Sequence, residues 1–192
     1  MPNWCYTRYV IEAEPEQIQS FNAILDRLNA RKKPLIENGF GKLWCGILVH
    51  LLGKDWKNVR CRGKITGYEI LDGALYLYVE SAWCELSELR ALFLEKFPDA
   101  KVFYMSEEPG MEIYQTNDEY EKHFTTRYVV DSEKDGMEYF DTIDSAADYV
   151  ATLTDKETPP TEEGIRNVIA DWVEEDPKNR WMCFHEFEVV DC

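Results

Sequence analysis

The sequence predicts an α+β protein: a ferredoxin-like β-α-β-β-α-β sheet with helices on one face, followed by a β-β-α-α-β part packed against it. Three observations predict it. Residues 4 to 11 alternate with period 2, two amphipathic helical stretches flank a hairpin signal, and both pattern and charge change after residue 118. The expected domains are 1–118, with an insertion at about 34–60, and an acidic part at 119–192.

Each element has its own signature. Trp4, Tyr6, Arg8 and Val10 alternate with Cys5, Thr7, Tyr9 and Ile11, which marks a strand rich in aromatic and β-branched residues. Pro15 suits a first helical turn, Ile18, Phe21, Leu25 and Leu28 recur on one helical face, and Arg31, Lys32 and Lys33 follow its end. Residues 34–60 are irregular and glycine-punctuated, and their apolar piece GILVHLL suits either a helical turn or a strand. Lys64 to Leu71, the Asp72-Gly73 turn and Ala74 to Glu80 predict a hairpin. Leu86, Leu89, Phe93 and Phe97 then predict a helix over about 85–97, stopped by Pro98, and KVFYMSEE from Lys101 a fourth strand. Beyond PGMEIYQTND, TRYVVD and MEYFDT read as a second hairpin and Ile143, Ala147 and Val150 as a helix. Thr161 caps the next helix, whose apolar face is Ile165, Val168, Ile169, Trp172 and Val173, and RWMCFHEFEVV is a last strand.

Composition is that of a globular chain, with 45% hydrophobic and 30% charged residues over 192 positions. No apolar run approaches the roughly 20 residues of a membrane span. No basic segment precedes an apolar stretch at the start, so a cytoplasmic protein is expected. The six cysteines lack paired spacing, as suits thiols in a reducing compartment. Net charge is −16, and it is segregated: residues 1–100 hold 13 Lys+Arg and 13 Asp+Glu, whereas residues 101–192 hold 8 and 24.

Several short motifs occur in a telling order: PNWC at 2–5, ENGFG at 37–41, DW at 55–56, DG and SAW within 72–83, and SEEPGMEIYQTND at 106–118. With them the chain resembles the YubB-like family of ferredoxin-fold proteins carried on bacterial plasmids and conjugative elements, over roughly residues 2–130. The resemblance implies a fold and a mobile-element setting. It implies no reaction and no catalytic residue.

Candidate sites are few. DSEKDGMEYFDT places Asp131, Glu133, Asp135 and Gly136 as in a calcium loop, but Thr142 stands where a bidentate Glu is required and the flanks read as strands. An acidic hairpin turn is the preferred reading. Cys183 and His185 share a face with Trp181, Phe187 and Val189, which favours a packed histidine over a metal ligand. Lys54, Trp56, Lys57, Arg60, Arg62 and Lys64 combine cations with an aromatic, and Tyr76 and Tyr78 follow where an RNA-recognition sheet carries stacking residues. Against nucleic acid stand Asp72, at a position the RNA-binding signature gives to Lys or Arg, and the net −16. The alternative is a basic loop that meets the acidic half of this or another chain.

On the acidic side, the helix 161–176 offers Glu162, Glu163, Asp171, Glu174, Glu175 and Asp176. The expected function is therefore non-catalytic binding or regulation on a mobile element, through the acidic C-terminal surface, with another protein or a second copy as partner. One alternative is imitation of DNA toward a host DNA-binding protein. The competing class is an enzyme with its site near the 34–60 insertion, involving His50 or His185, although no G-x-S-x-G nucleophile motif occurs. No cofactor or metal is expected.

Overall fold

Strand β1 (Trp4–Glu12) pairs on both edges, with β3 (Ala74–Ala82) on one side and β4 (Lys101–Glu108) on the other, all antiparallel. The computed structural model describes residues 3–190; Pro2 of the PNWC motif and Cys192 lie outside them. The chain divides into two compact units, the first closing at Asn117 and the second running from Asp118 to Val190.

In the first unit, strand β2 (Gly63–Leu71) joins the far side of β3, and β5 (Ile113–Thr116) adds to β4, giving the order β2-β3-β1-β4-β5. The pairing of β2 with β3 slips by one residue between Ile65 and Gly67, a bulge. Period 2 sorts the faces. Cys5, Thr7, Tyr9 and Ile11 are buried with Leu75, Leu77 and Val79. On the same side lie helix α1 (Pro15–Asn29), through Ile18, Phe21, Leu25 and Leu28, and helix α3 (Ser87–Lys96), through Leu89, Leu92 and Phe93. Phe21 and Phe93 meet edge to face at 4.9 Å. Each such buried side chain contributes about 2 kcal/mol relative to exposure.

Two local expectations need correction. Helix α3 starts at Ser87, two residues late, because the preceding turn is tied to β1: Tyr9 donates to the Glu85 carboxylate (2.9 Å), and the Leu86 N–H donates to the Tyr9 oxygen (3.3 Å). Strand β5 lies in PGMEIYQTND, a stretch to which the sequence reading assigns no element. Its turn is hidden because Glu112, not glycine, takes the left-handed conformation (φ 54°). The piece GILVHLL belongs to helix α2 (Cys45–Leu51).

The scattered motifs of the first unit meet in space. Trp4 of PNWC lies edge-on to Phe40 of ENGFG at 6.4 Å, Phe40 stacks on Trp44 at 6.4 Å, and Trp44 meets Trp56 of DW at 5.0 Å. Asn38 shapes its turn, accepting the Phe40 and Gly41 N–H groups (2.6 and 2.9 Å). Asn3 accepts the N–H of Trp83 in SAW (3.0 Å) through its carbonyl, and its amide reaches Glu108 of SEEPG (3.4 Å).

The second unit begins with a buried Asp118, whose carboxylate accepts the N–H groups of Lys122, His123 and Phe124 (3.0, 2.6 and 2.9 Å). The buried Arg127 guanidinium donates to the carbonyls of Asp118 and Glu119 and to the Glu121 carboxylate. Strands β6 (Tyr128–Ser132), β7 (Gly136–Phe140) and β8 (Met182–Glu186) form an antiparallel sheet in the order β7-β6-β8. Helices α4 (Ile143–Thr154) and α5 (Glu162–Glu175) pack Ala146, Ala147, Val150, Ile165 and Ile169 against Val130, Met182 and Phe184. Among the described residues, no helix is long and apolar enough to cross a membrane.

The indole of Trp44 lies directly over Gly46, where an added Cβ would come within 2.3 Å of ring carbons. Gly46→Ala is expected to lower stability by about 1–3 kcal/mol in urea unfolding, and most of that loss should vanish in a Trp44→Leu background. An equal loss in both backgrounds would exclude the ring contact as its cause.

Candidate functional site

The second unit carries the charge. Between 118 and 190 there are 20 Asp+Glu against 7 Lys+Arg. Helix α5 is positioned by its own start: the Thr161 hydroxyl accepts the Gly164 N–H (3.0 Å), and a Cβ at Gly164 would come within 2.7 Å of the Pro159 ring. With Ile165 and Ile169 turned inward, Glu163, Asp171 and Glu174 are exposed on the opposite side. None of these three carboxylates makes an ion pair among the described residues. Exposed Asp144 and Asp148 on α4 add to them.

The other acids of α5 are engaged. Glu175 accepts from Lys156 (2.7 Å) and Arg180 (2.6 Å), and these two, Lys156 foremost, hold its carboxyl below the usual range. Glu162 faces Arg166 one turn on at 3.7 Å. It also shares a hydrogen bond with Glu186 at the end of β8. That bond, then partial burial and the like charge of Glu162, pushes the Glu186 carboxyl up to about 7, against the opposing pull of Arg127 and Arg166.

Beside the end of α5 a groove of about 300 Å³ opens between the β6–β7 turn and the segment entering β8. Leu153, Trp172 and Met182 line its apolar part, with Glu133, Lys134, Asp176 and Trp181 among the remaining lining residues. Trp181 is 47% exposed. Trp172 already holds a guanidinium: Arg180 stacks on its ring at 4.8 Å and donates to its carbonyl at 2.8 Å. The sequence reading assigned Trp172 to a helix face and Trp181 to a strand face. The available signal was WVEEDPKNRW, where Pro177 ends the helix and a short turn returns the second tryptophan toward the first.

The basic stretch of the first unit is largely spent on its own domain. Lys54 pairs with Glu95 (2.8 Å) and Lys64 with Glu80 (2.8 Å). The Arg60 guanidinium donates to the Ala82 carbonyl (3.3 Å), and its N–H to Glu88 (2.8 Å). Trp56 is half-buried against Trp44, with the Lys57 ammonium 5.7 Å from its ring centre. Arg62 is exposed. Tyr76 and Tyr78 face away from the helices and are half-buried, and Tyr78 donates to Glu69 (2.8 Å).

His50 is exposed at the end of α2, and His185 is half-buried on β8 opposite Val129. DSEKDGMEYFDT runs from β6 through its turn into β7, so strands flank it. Among the described residues no three His, Cys, Asp or Glu side chains gather as a metal site. A buried ionic group lies in the first unit, where Glu85 accepts from both Tyr9 (2.9 Å) and Arg90 (3.0 Å), and Arg90 covers the Tyr104 ring at 4.7 Å. Burial, and after it the charge of Glu85, raises the Tyr9 hydroxyl well above its ordinary value, as suits a permanent donor. In comparisons with protein-family models, curated proteins and solved structures, the chain matches none.

The raised Glu186 carboxyl gives the second unit a pH signature. Folded Glu186 keeps a proton that the unfolded chain releases near 4.5. Its contribution to stability is thus complete below that value and is lost as pH rises through about 7. Urea unfolding at about pH 5 and about pH 8 should show this loss, and Glu186→Gln should flatten it. An unchanged slope in the variant would remove Glu186 as the cause.

Proposed function

We propose that this chain is a non-catalytic binding or regulatory protein that engages a basic macromolecular partner through the acidic surface of its second unit. The observation that carries the reading is the row of unpaired carboxylates Glu163, Asp171 and Glu174 on the exposed side of α5, in a unit with 20 acids and 7 bases. Such a field draws cationic surfaces and accelerates their encounter. Because Lys54 and Lys64 are already paired within their own domain, a different chain is a better partner than a second copy.

We read the first unit as ferredoxin-like, which its order β2-β3-β1-β4 and the shared face of α1 and α3 support. Kinship with the YubB-like family of mobile elements is proposed from the order of the PNWC, ENGFG, DW, SAW and SEEPG motifs in the sequence; in the fold these motifs meet around Trp44 and Asn3. Where the basic partner is itself a DNA-binding protein, α5 would stand in for a row of phosphates.

Calorimetric titration of the full chain with a lysine- and arginine-rich polypeptide tests the reading. Affinity should fall roughly tenfold between about 50 and about 200 mM salt. The triple variant Glu163→Gln, Asp171→Asn, Glu174→Gln should weaken binding and reduce the salt dependence. Binding that ignores both salt and the variant would overturn the proposal.

A further inference from the structure

We infer that the groove beside the end of α5 takes an arginine side chain of a protein partner. The inference rests on the reading that the second unit binds a basic protein, and it names the pocket in which that binding becomes specific. Four observations converge on a guanidinium.

The first is shape and lining. A groove of about 300 Å³ with Leu153, Trp172 and Met182 along one part suits the aliphatic stem of one long side chain, not a folded element. The second is charge. Among the described residues Glu133 is exposed and makes no ion pair, and the Asp176 carboxylate accepts from the Asn179 amide (3.0 and 3.2 Å) and pairs with no cation, so both can accept from one. Lys134 opposes them, but it is exposed on a flexible stem and free to swing away. Arg180 is already matched by Glu175 at 2.6 Å.

The third is the backbone field. Helix α4 ends at Thr154 and α5 at Glu175, and the groove is lined by Leu153 from the first end and by Trp172 and Asp176 from the second. Each helix C-terminus carries roughly half a negative charge, which favours a cation there. The fourth is an internal precedent: the chain's own Arg180 shows the recognition chemistry, stacked on Trp172 and bonded to a carbonyl and a carboxylate. Trp181, 47% exposed, offers a second indole, with Glu133 and Asp176 lining the same groove. A planar guanidinium uses such a stack-and-fork arrangement better than an ammonium does.

The test titrates the full chain with an acetylated peptide of alternating arginine and glycine, and with the same peptide carrying neutral citrulline in place of arginine. The arginine peptide should bind and alter tryptophan fluorescence, while the citrulline peptide should bind at least about tenfold more weakly. Trp181→Ala, and separately Glu133→Gln with Asp176→Asn, should each weaken arginine-peptide binding by about fivefold to tenfold, whereas Trp181→Phe should retain most of it. An unchanged unfolding midpoint for Trp181→Ala shows that the loss is not one of folding. If Trp181→Ala unfolds the unit, the Glu133 and Asp176 pair decides alone. Arginine-peptide binding that is indifferent to the groove variants but lost in the α5 triple variant would overturn the groove and leave the acidic-surface reading standing. Binding of neither peptide under low salt would overturn both.

Discussion

Ile165 and Ile169 must leave water, and only one side of α5 can supply that. Their burial against Val130 and Phe184 fixes the rotation of the helix on its three-stranded sheet, and once the rotation is fixed every other position on α5 has its exposure assigned. Glu163, Asp171 and Glu174 face solvent because the apolar positions take the inner side. The acidic surface is thus a consequence of packing, at about 2 kcal/mol for each buried isoleucine, and its charges cost little because water still solvates them.

The first unit solves a different problem. The turn between β3 and α3 buries a carboxylate, Glu85, which is costly unless hydrogen bonds and an opposite charge offset its desolvation. Tyr9 from β1 and Arg90 from α3 supply these, so the group that would be costly alone becomes a clamp between strand, turn and helix. A comparable division of labour runs through the aromatic cluster. Trp4, Phe40, Trp44 and Trp56 come from separate stretches and hold the 34–60 insertion to the start of β1.

The elements legible in the sequence are those whose signal is local. The alternation from Trp4 to Ile11, the apolar spacing of Ile18, Phe21, Leu25 and Leu28, the Asp72-Gly73 turn and the Thr161 cap each state their structure within a few residues. β5 was hidden because its turn uses Glu112 in a conformation that glycine usually advertises. The start of α3 was misplaced because a long-range bond from Tyr9 overrides the local pattern at Leu86. For the site, the acids of α5 were visible from composition, but which of them remain unpaired was not: Lys156 and Glu186 reach Glu175 and Glu162 from distant positions, and Arg180 reaches Glu175 only through the turn after the helix. The groove was invisible for the same reason, since its residues come from four separate stretches.

The irregular pairing of β2 with β3 also bears on how copies of this protein coexist at high concentration. Leu43 accepts the Ile65 N–H (2.9 Å), and Trp44 bridges to Lys64, so the first half of β2's outer rim is already occupied. Just beyond, the slip between Ile65 and Gly67 twists the remaining ladder away from a flat template. At this edge a neighbouring molecule therefore finds no straight row of free amides to extend, and β2 is a poor template for intermolecular pairing.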